Sequence, residues 1–141
     1  MQRWIIAAGV FLVLLAGGSA FGYRAYRLNR AIHPVLLQFP VPGETTQDER
    51  NAAAKLLRHK LSEAALLAQV SRQAGLARKL NLASDESAAS DLGKRLFVEV
   101  GEADLPQGRL AVIKIGANCT VGEYNAMVCV SEQLRKALEK P

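Results

Sequence analysis

The chain has 141 residues, of which 50% are apolar and 6% aromatic, and its formal net charge is +5. This length fits one small domain and a targeting segment. Residues 1–30 contain four arginines and no acid, whereas residues 31–141 contain 14 Lys/Arg and 13 Asp/Glu. Because the larger part is nearly neutral, the composition argues against nucleic-acid binding through phosphate contacts.

The first predicted element is a membrane anchor with a basic juxtamembrane segment, residues 1–33. Residues 4–22 carry no charge and as a helix would span roughly 28 Å, close to the thickness of the bilayer hydrocarbon. Gly18 and Gly22 form a small-xxx-small pair that could pack against another membrane helix. Aromatic and basic residues at the two ends suit the membrane interfaces; these predicted anchors are Trp4, Tyr23, Arg24, Tyr26, Arg27 and Arg30.

A cleaved signal peptide is the alternative for this segment. Residues 4–16 resemble an apolar signal core, and Gly18-Ser19-Ala20 resembles a cleavage site. The apolar stretch nevertheless continues to Gly22, and arginines follow directly, so we favour a retained anchor. Positive charge after the helix favours a cytoplasmic domain, whereas the very short tail before it is usual in proteins that export the rest. We favour an extracytoplasmic (periplasmic) domain.

Residues 34–45 are predicted to be a Pro-rich spacer. Pro34, Pro40 and Pro42 fix φ and remove backbone donors, which disfavours a helix. The segment also contains Val35, Leu36, Leu37 and Phe39, too many apolar side chains for a free linker. We therefore expect it to lie against the domain, a partner or the membrane surface.

Residues 46–141 are predicted to form a small, helix-dominated α+β domain. Thr46 and Glu49 match a capping box, and the apolar spacing predicts a helix over residues 47–74 that ends before Gly75. Shorter helices are predicted over 76–82 and 85–92, the second ending near Gly93. Two runs rich in Val and Ile predict a β-hairpin over 95–101 and 109–116, and a final helix is expected over 125–139.

Helices 76–82 and 85–92 have the spacing of a helix-turn-helix motif. The second one carries Asp85, Glu86 and Asp91 and no base before Lys94, so it would repel a phosphate backbone. We predict a helical hairpin and no nucleic-acid partner.

Cys119 and Cys129, ten residues apart, are the only cysteines. A disulfide is expected if the last helix begins at Asn125, because residues 120–124 could then fold back. If the helix instead begins at the Thr120/Glu123 capping-box match, the sulfurs would lie on the order of 13 Å apart along its axis, too far to bond.

No catalytic or metal-ligating pattern is recognisable, and we expect neither an enzyme nor a cofactor. The sequence favours a single-pass, membrane-anchored accessory or assembly subunit, with the bilayer and a protein of a membrane complex as partners. Its long helix has an apolar stripe too broad for a small core, so partner contacts are expected at Leu56, Leu66 and Val70. The alternative is a small ligand-binding or sensing module with a pocket near Tyr124.

Overall fold

The computed structural model describes residues 17–106 and 108–139, which form a mixed α+β domain preceded by an exposed helix. The α+β class expected from the sequence is confirmed. The helices are α1 (residues 17–28), α2 (Gln47–Leu61), α3 (Ala64–Ala74), α4 (Leu76–Lys79), α5 (Asp85–Arg95) and α6 (Tyr124–Glu139). The strands are β1 (Ala31–Ile32), β2 (Val35–Pro40), β3 (Leu96–Leu105), β4 (Gly108–Ala117) and β5 (Cys119–Thr120).

The main sheet has three antiparallel strands in the order β2-β4-β3. Side chains alternate across the sheet, so Val98 of β3, Ile115 of β4 and Leu37 of β2 lie in one row on the face that contacts the helices. The neighbouring row on the opposite face contains Glu99, Lys114 and Gln38. A separate two-stranded pair, β1 with β5, joins the beginning of the domain to the start of α6.

The core lies between this sheet and helices α3, α5 and α6. Its largest fully buried side chains are Val70, Leu76, Leu92, Ile115, Met127 and Leu134. Together they come from α3, α4, α5, β4 and α6, so residues distant in sequence close one hydrophobic cluster. The chain therefore builds a continuous core despite its content of alanine.

The helix predicted over residues 47–74 is divided into α2 and α3 at Ser62 and Glu63. Ser62 donates its backbone N–H to the last carbonyls of α2 and its hydroxyl to the carbonyl of His59, while Glu63 is extended. The break allows α2 to lie along the sheet and α3 to pack among the other helices. The wide apolar stripe thus belongs to two helices with different buried faces.

Residues 34–45, predicted as a spacer, instead contribute strand β2 to the main sheet. Leu37 and Phe39 pair with Ile115 and Ile113 of β4 and pack against the core. Pro40 fits this strand because β2 is at the edge of the sheet, where a missing donor is tolerated. The folded domain therefore includes residues that precede the predicted boundary at 46.

Gly93 was expected to end the helix predicted over residues 85–92. It instead lies inside α5, which continues to Arg95 and leads directly into β3. A Cβ atom at this position would lie 3.0 Å from Cδ1 of Leu67 in α3. The glycine accordingly allows α3 and α5 to approach each other closely.

The predicted membrane anchor falls mainly on residues 1–16, which lie outside the described part of the chain. Within residues 17–106 and 108–139, no helix has both the length and the apolar character required to cross a bilayer.

Candidate functional site

An apolar groove lies on the helix-bearing side of the sheet. Its floor is formed by Phe39 of β2 and Ile113 of β4, which are register partners. Four residues of α2 and one of α6 complete the lining; these are Ala53, Leu56, Leu57, Lys60 and Leu138. The groove has a volume of about 310 Å³, the lower end of the range for small-molecule sites.

The sequence of α2 explains why the groove stays open. Ala53 is too small to cover Phe39, while Leu57 turns towards the core. Leu56, at the groove, is 74% exposed. Isolated exposed leucines are common, but this one is continuous with the apolar groove.

The three predicted partner contacts are separated by the fold. Leu56 lines the groove, whereas Leu66 and Val70 of α3 are buried within the core and are not available at the surface. The prediction is wrong for these two residues because it assumed one uninterrupted helix. Sequence reasoning missed Phe39, Ile113 and Leu138; only the excess of apolar residues around Phe39 signalled a packed segment.

The predicted membrane-associated residues that can be described lie on or next to α1. Every residue from 17 to 31 is exposed, including Phe21 at 78% and Tyr26 at 76%. Nothing lies within 4 Å of a Cβ atom placed on Gly18 or Gly22, so their packing role stays a prediction. Tyr23, Arg24, Arg27 and Arg30 are also exposed, and Trp4 lies outside the described residues.

Both cysteines are free thiols in the structure, so the expected disulfide is not formed. The capping box between Thr120 and Glu123 is present, and a 3₁₀ turn over Val121–Glu123 leads directly into α6. This is the alternative in which helical geometry carries Cys129 away from Cys119. Burial raises the pKa of the Cys119 thiol, which keeps it in the protonated, poorly nucleophilic form.

A partly buried ionic cluster joins α5 to the start of α6. Arg95 donates from its Nη atoms to both carboxylate oxygens of Glu123, at 2.8 and 3.2 Å, and from Nε to Asp91 at 2.6 Å. Glu123 also accepts the backbone N–H of Thr120. The Arg95 hydrogen bonds lower the pKa of Glu123, whose own hydrogen bonds in turn raise the pKa of Arg95. Since every group is satisfied within the cluster, its role is to hold the two helices together.

The two histidines lie apart. His33 shares a 2.7 Å hydrogen bond between Nδ1 and the side-chain oxygen of Asn118, and His59 is exposed near the end of α2. Among the described residues, no group of three His, Cys, Asp or Glu side chains is arranged to hold a metal ion. Tyr124, the residue proposed for a ligand pocket, is 46% exposed and does not line the groove described above.

Comparison with known proteins gives no relative: no protein-family model, curated protein or solved structure matches this chain. Any assignment of function therefore depends on the groove, α1 and the way they are connected.

Proposed function

We propose that this protein is a single-pass, membrane-anchored accessory or assembly subunit of a membrane protein complex, and that it acts by binding rather than by catalysis. The observation that carries the proposal is that every residue from 17 to 31 is exposed, with Phe21, Tyr23 and Tyr26 among them. A helix whose aromatic side chains are not buried against its own domain has its aromatic surface free for lipid or for another protein. Aromatic and arginine side chains together are typical of a membrane interface.

The connection between α1 and the domain supports a close attachment. Only Asn29 and Arg30 separate α1 from β1, and the Arg30 carbonyl accepts the backbone N–H of Val121. Such a short, hydrogen-bonded junction would hold the domain close to the bilayer surface. This suits a subunit that must present a binding surface in a fixed orientation.

The groove supplies the binding surface. Burial of Leu56 by a partner would contribute on the order of 1.5–3 kcal/mol, because most of its side chain is exposed in the free domain. The groove walls come from two helices and two strands, so the site is built on rigid elements rather than on loops.

Membrane extraction tests the anchoring. We expect the full-length chain to remain in the membrane pellet after an alkaline wash and to retain residues before Phe21. Recovery of a polypeptide that begins at Phe21 in the wash would show a cleaved signal and contradict the anchor.

Protease accessibility tests the orientation. If the domain is extracytoplasmic (periplasmic), added protease should digest the C-terminal part of the chain after the outer cell envelope has been permeabilised, while the inner membrane is still intact. Digestion only after the inner membrane is broken would place the domain in the cytoplasm.

Native electrophoresis tests the assembly role. The full chain, gently solubilised, should migrate in a species much larger than a monomer. A Leu56→Asp variant should shift towards the monomer, whereas Val128→Asp, on an exposed part of α6 outside the groove, should not. Migration of the unaltered chain solely as a monomer would contradict the proposal.

A further inference from the structure

The α2 wall of the groove has a distinctive charge pattern. Arg50, Ala53, Leu57 and Lys60 follow one another at helical spacing and share one stripe. Cations therefore stand at both ends of an apolar stretch. From Arg50 to Leu61 the helix contains Lys55, Arg58 and His59 in addition, and no acid.

Arg50, at one end of this stripe, carries a donor that the described residues leave unsatisfied. Its side chain is half-buried, and its Nε atom is buried without a hydrogen-bond partner among the described residues. A buried guanidinium N–H is costly when it is not hydrogen-bonded. The buried Nε–H itself is out of a partner's reach, but the Arg50 side chain as a whole stays partly exposed. The part of its planar guanidinium left at the surface can donate to an incoming carboxylate.

We propose that the groove binds an amphipathic, acidic helix of a partner protein, which names the partner class of the assembly role proposed above and rests on it. Ten residues separate Arg50 from Lys60, about 15 Å along α2. A partner helix would match them with carboxylates ten or eleven residues apart. Apolar side chains between those carboxylates would lie against Leu56, Phe39 and Ile113 in the groove.

Charge argues against a second copy of this chain as the occupant. The same α2 surface from another molecule would bring its own lysines and arginines to a site that already carries them. The exposed face of α6 carries Glu132 and Glu139 but also Arg135 and Lys136. The α6 helix of a second copy therefore offers the groove no net negative charge.

The position of the groove argues against lipid. β2 begins next to β1, where α1 joins the domain, and Phe39 lies four residues further along the strand. This corresponds to about 13 Å at the rise of an extended chain. The groove is therefore displaced from the junction that the bilayer would contact.

The test uses the full chain in mild detergent and a designed helical probe of about 16 residues. The probe carries glutamates ten residues apart, with leucines three and seven residues after the first one. A matched probe has lysines in place of the glutamates. Fluorescence anisotropy of labelled probes measures the affinity.

We expect the glutamate probe to bind at least about tenfold more tightly than the lysine probe. Leu56→Asp should weaken its binding about tenfold, and Val128→Asp should leave it unchanged. Lys60→Glu should weaken the binding of the glutamate probe and strengthen the binding of the lysine probe. Equal affinity for the two probes, no binding, or binding unaffected by Leu56→Asp would overturn the proposal.

Self-association is measured on the same samples by analytical ultracentrifugation. A dimer that Leu56→Asp dissociates would show that a second copy occupies the groove and would overturn the proposed partner. If the glutamate probe does not bind while the chain still migrates in a large membrane assembly, only the proposed class of partner is wrong. If the unaltered chain is monomeric in membranes, the assembly role itself fails.

Discussion

Ser71 lies within α3 with a fully buried side chain, and its hydroxyl has no hydrogen-bond partner among the described residues. A buried, unsatisfied hydroxyl destabilises the folded state, and serine is also a poorer helix former than alanine. We expect Ser71→Ala to raise the free energy of unfolding by about 1 kcal/mol, measured by urea denaturation.

Ser90, exposed on α5, provides the control for this substitution. Ser90→Ala should gain only the difference in helix propensity, about 0.5 kcal/mol. A Ser71→Ala variant less stable than the unaltered protein would show that the hydroxyl makes a stabilising hydrogen bond in the folded state, and would contradict this prediction.

Glu123 links stability to pH through its pairing with Arg95. The arginine lowers the folded-state pKa of Glu123 below its ordinary value of 4.5. The resulting stabilisation is therefore complete above the unfolded pKa and is lost as pH falls through the lower folded value. Glu123→Gln should be about 1–2 kcal/mol less stable at neutral pH, and this deficit should shrink in acid.

Thermal unfolding followed by circular dichroism across an acid titration measures this effect. The matched control is Asp104→Asn, which removes an ion pair between Asp104 and Arg109. The two side chains are 83% and 75% exposed, respectively. Such an exposed pair should contribute little. Parallel pH curves for the unaltered protein and Glu123→Gln would contradict the assignment.

At the scale of elements, Arg58 joins the end of α2 to the outer edge of β3. Its Nη2 and Nε atoms donate to the Val98 carbonyl at 2.6 and 3.2 Å. β3 pairs with β4 on its other side only, and an open strand edge is a template for association. Arg58→Ala should lower the free energy of unfolding by about 1 kcal/mol and increase self-association.

Lys55→Ala, one turn earlier on the same exposed side of α2, is the matched control for the edge. Sedimentation velocity over a range of protein concentrations should show faster-sedimenting species for Arg58→Ala alone. If both variants remain as monodisperse as the unaltered chain, the arginine does not protect the edge.

The helices were predicted well wherever local chemistry determines them. The capping boxes at Thr46/Glu49 and Thr120/Glu123 are both present, since such caps depend only on residues three apart. The break at Ser62 was missed because a helix break without proline or glycine depends on where the two halves pack. The excessive width of the apolar stripe was the available signal.

The strand β2 and the groove required contacts distant in sequence. Prolines at both ends of residues 34–40 suggested a spacer, yet pairing with β4, more than 70 residues later, makes this segment a strand. Phe39, Ile113 and Leu138 come from separate elements and meet only in the folded domain. The exposure of Leu56 was expected because this leucine departs from the core-facing stripe of its helix, but the same reasoning also selected Leu66 and Val70, which are buried.

At the scale of the whole molecule, few described contacts join α1 to the core of the domain. Residues 17–31 are exposed throughout. The described contacts with the domain are confined to the junction: the Arg30 carbonyl accepts the backbone N–H of Val121, and Leu28 lies close to Gly122. The tether can therefore lie in a membrane or against a partner without altering the core. Its removal should separate anchoring from folding.

Two truncated chains test this independence and the revised domain boundary together. A fragment of residues 29–141 retains the Arg30 carbonyl and every strand, so it should unfold cooperatively with a midpoint close to that of the full chain. A fragment of residues 46–141 lacks β2 and exposes the β4 edge and Ile113. It should lose cooperative unfolding or aggregate, because the sheet then has two strands and an uncovered apolar row. Thermal circular dichroism with light scattering distinguishes these results, and a cooperative transition for residues 46–141 would mean that β2 is dispensable for the fold.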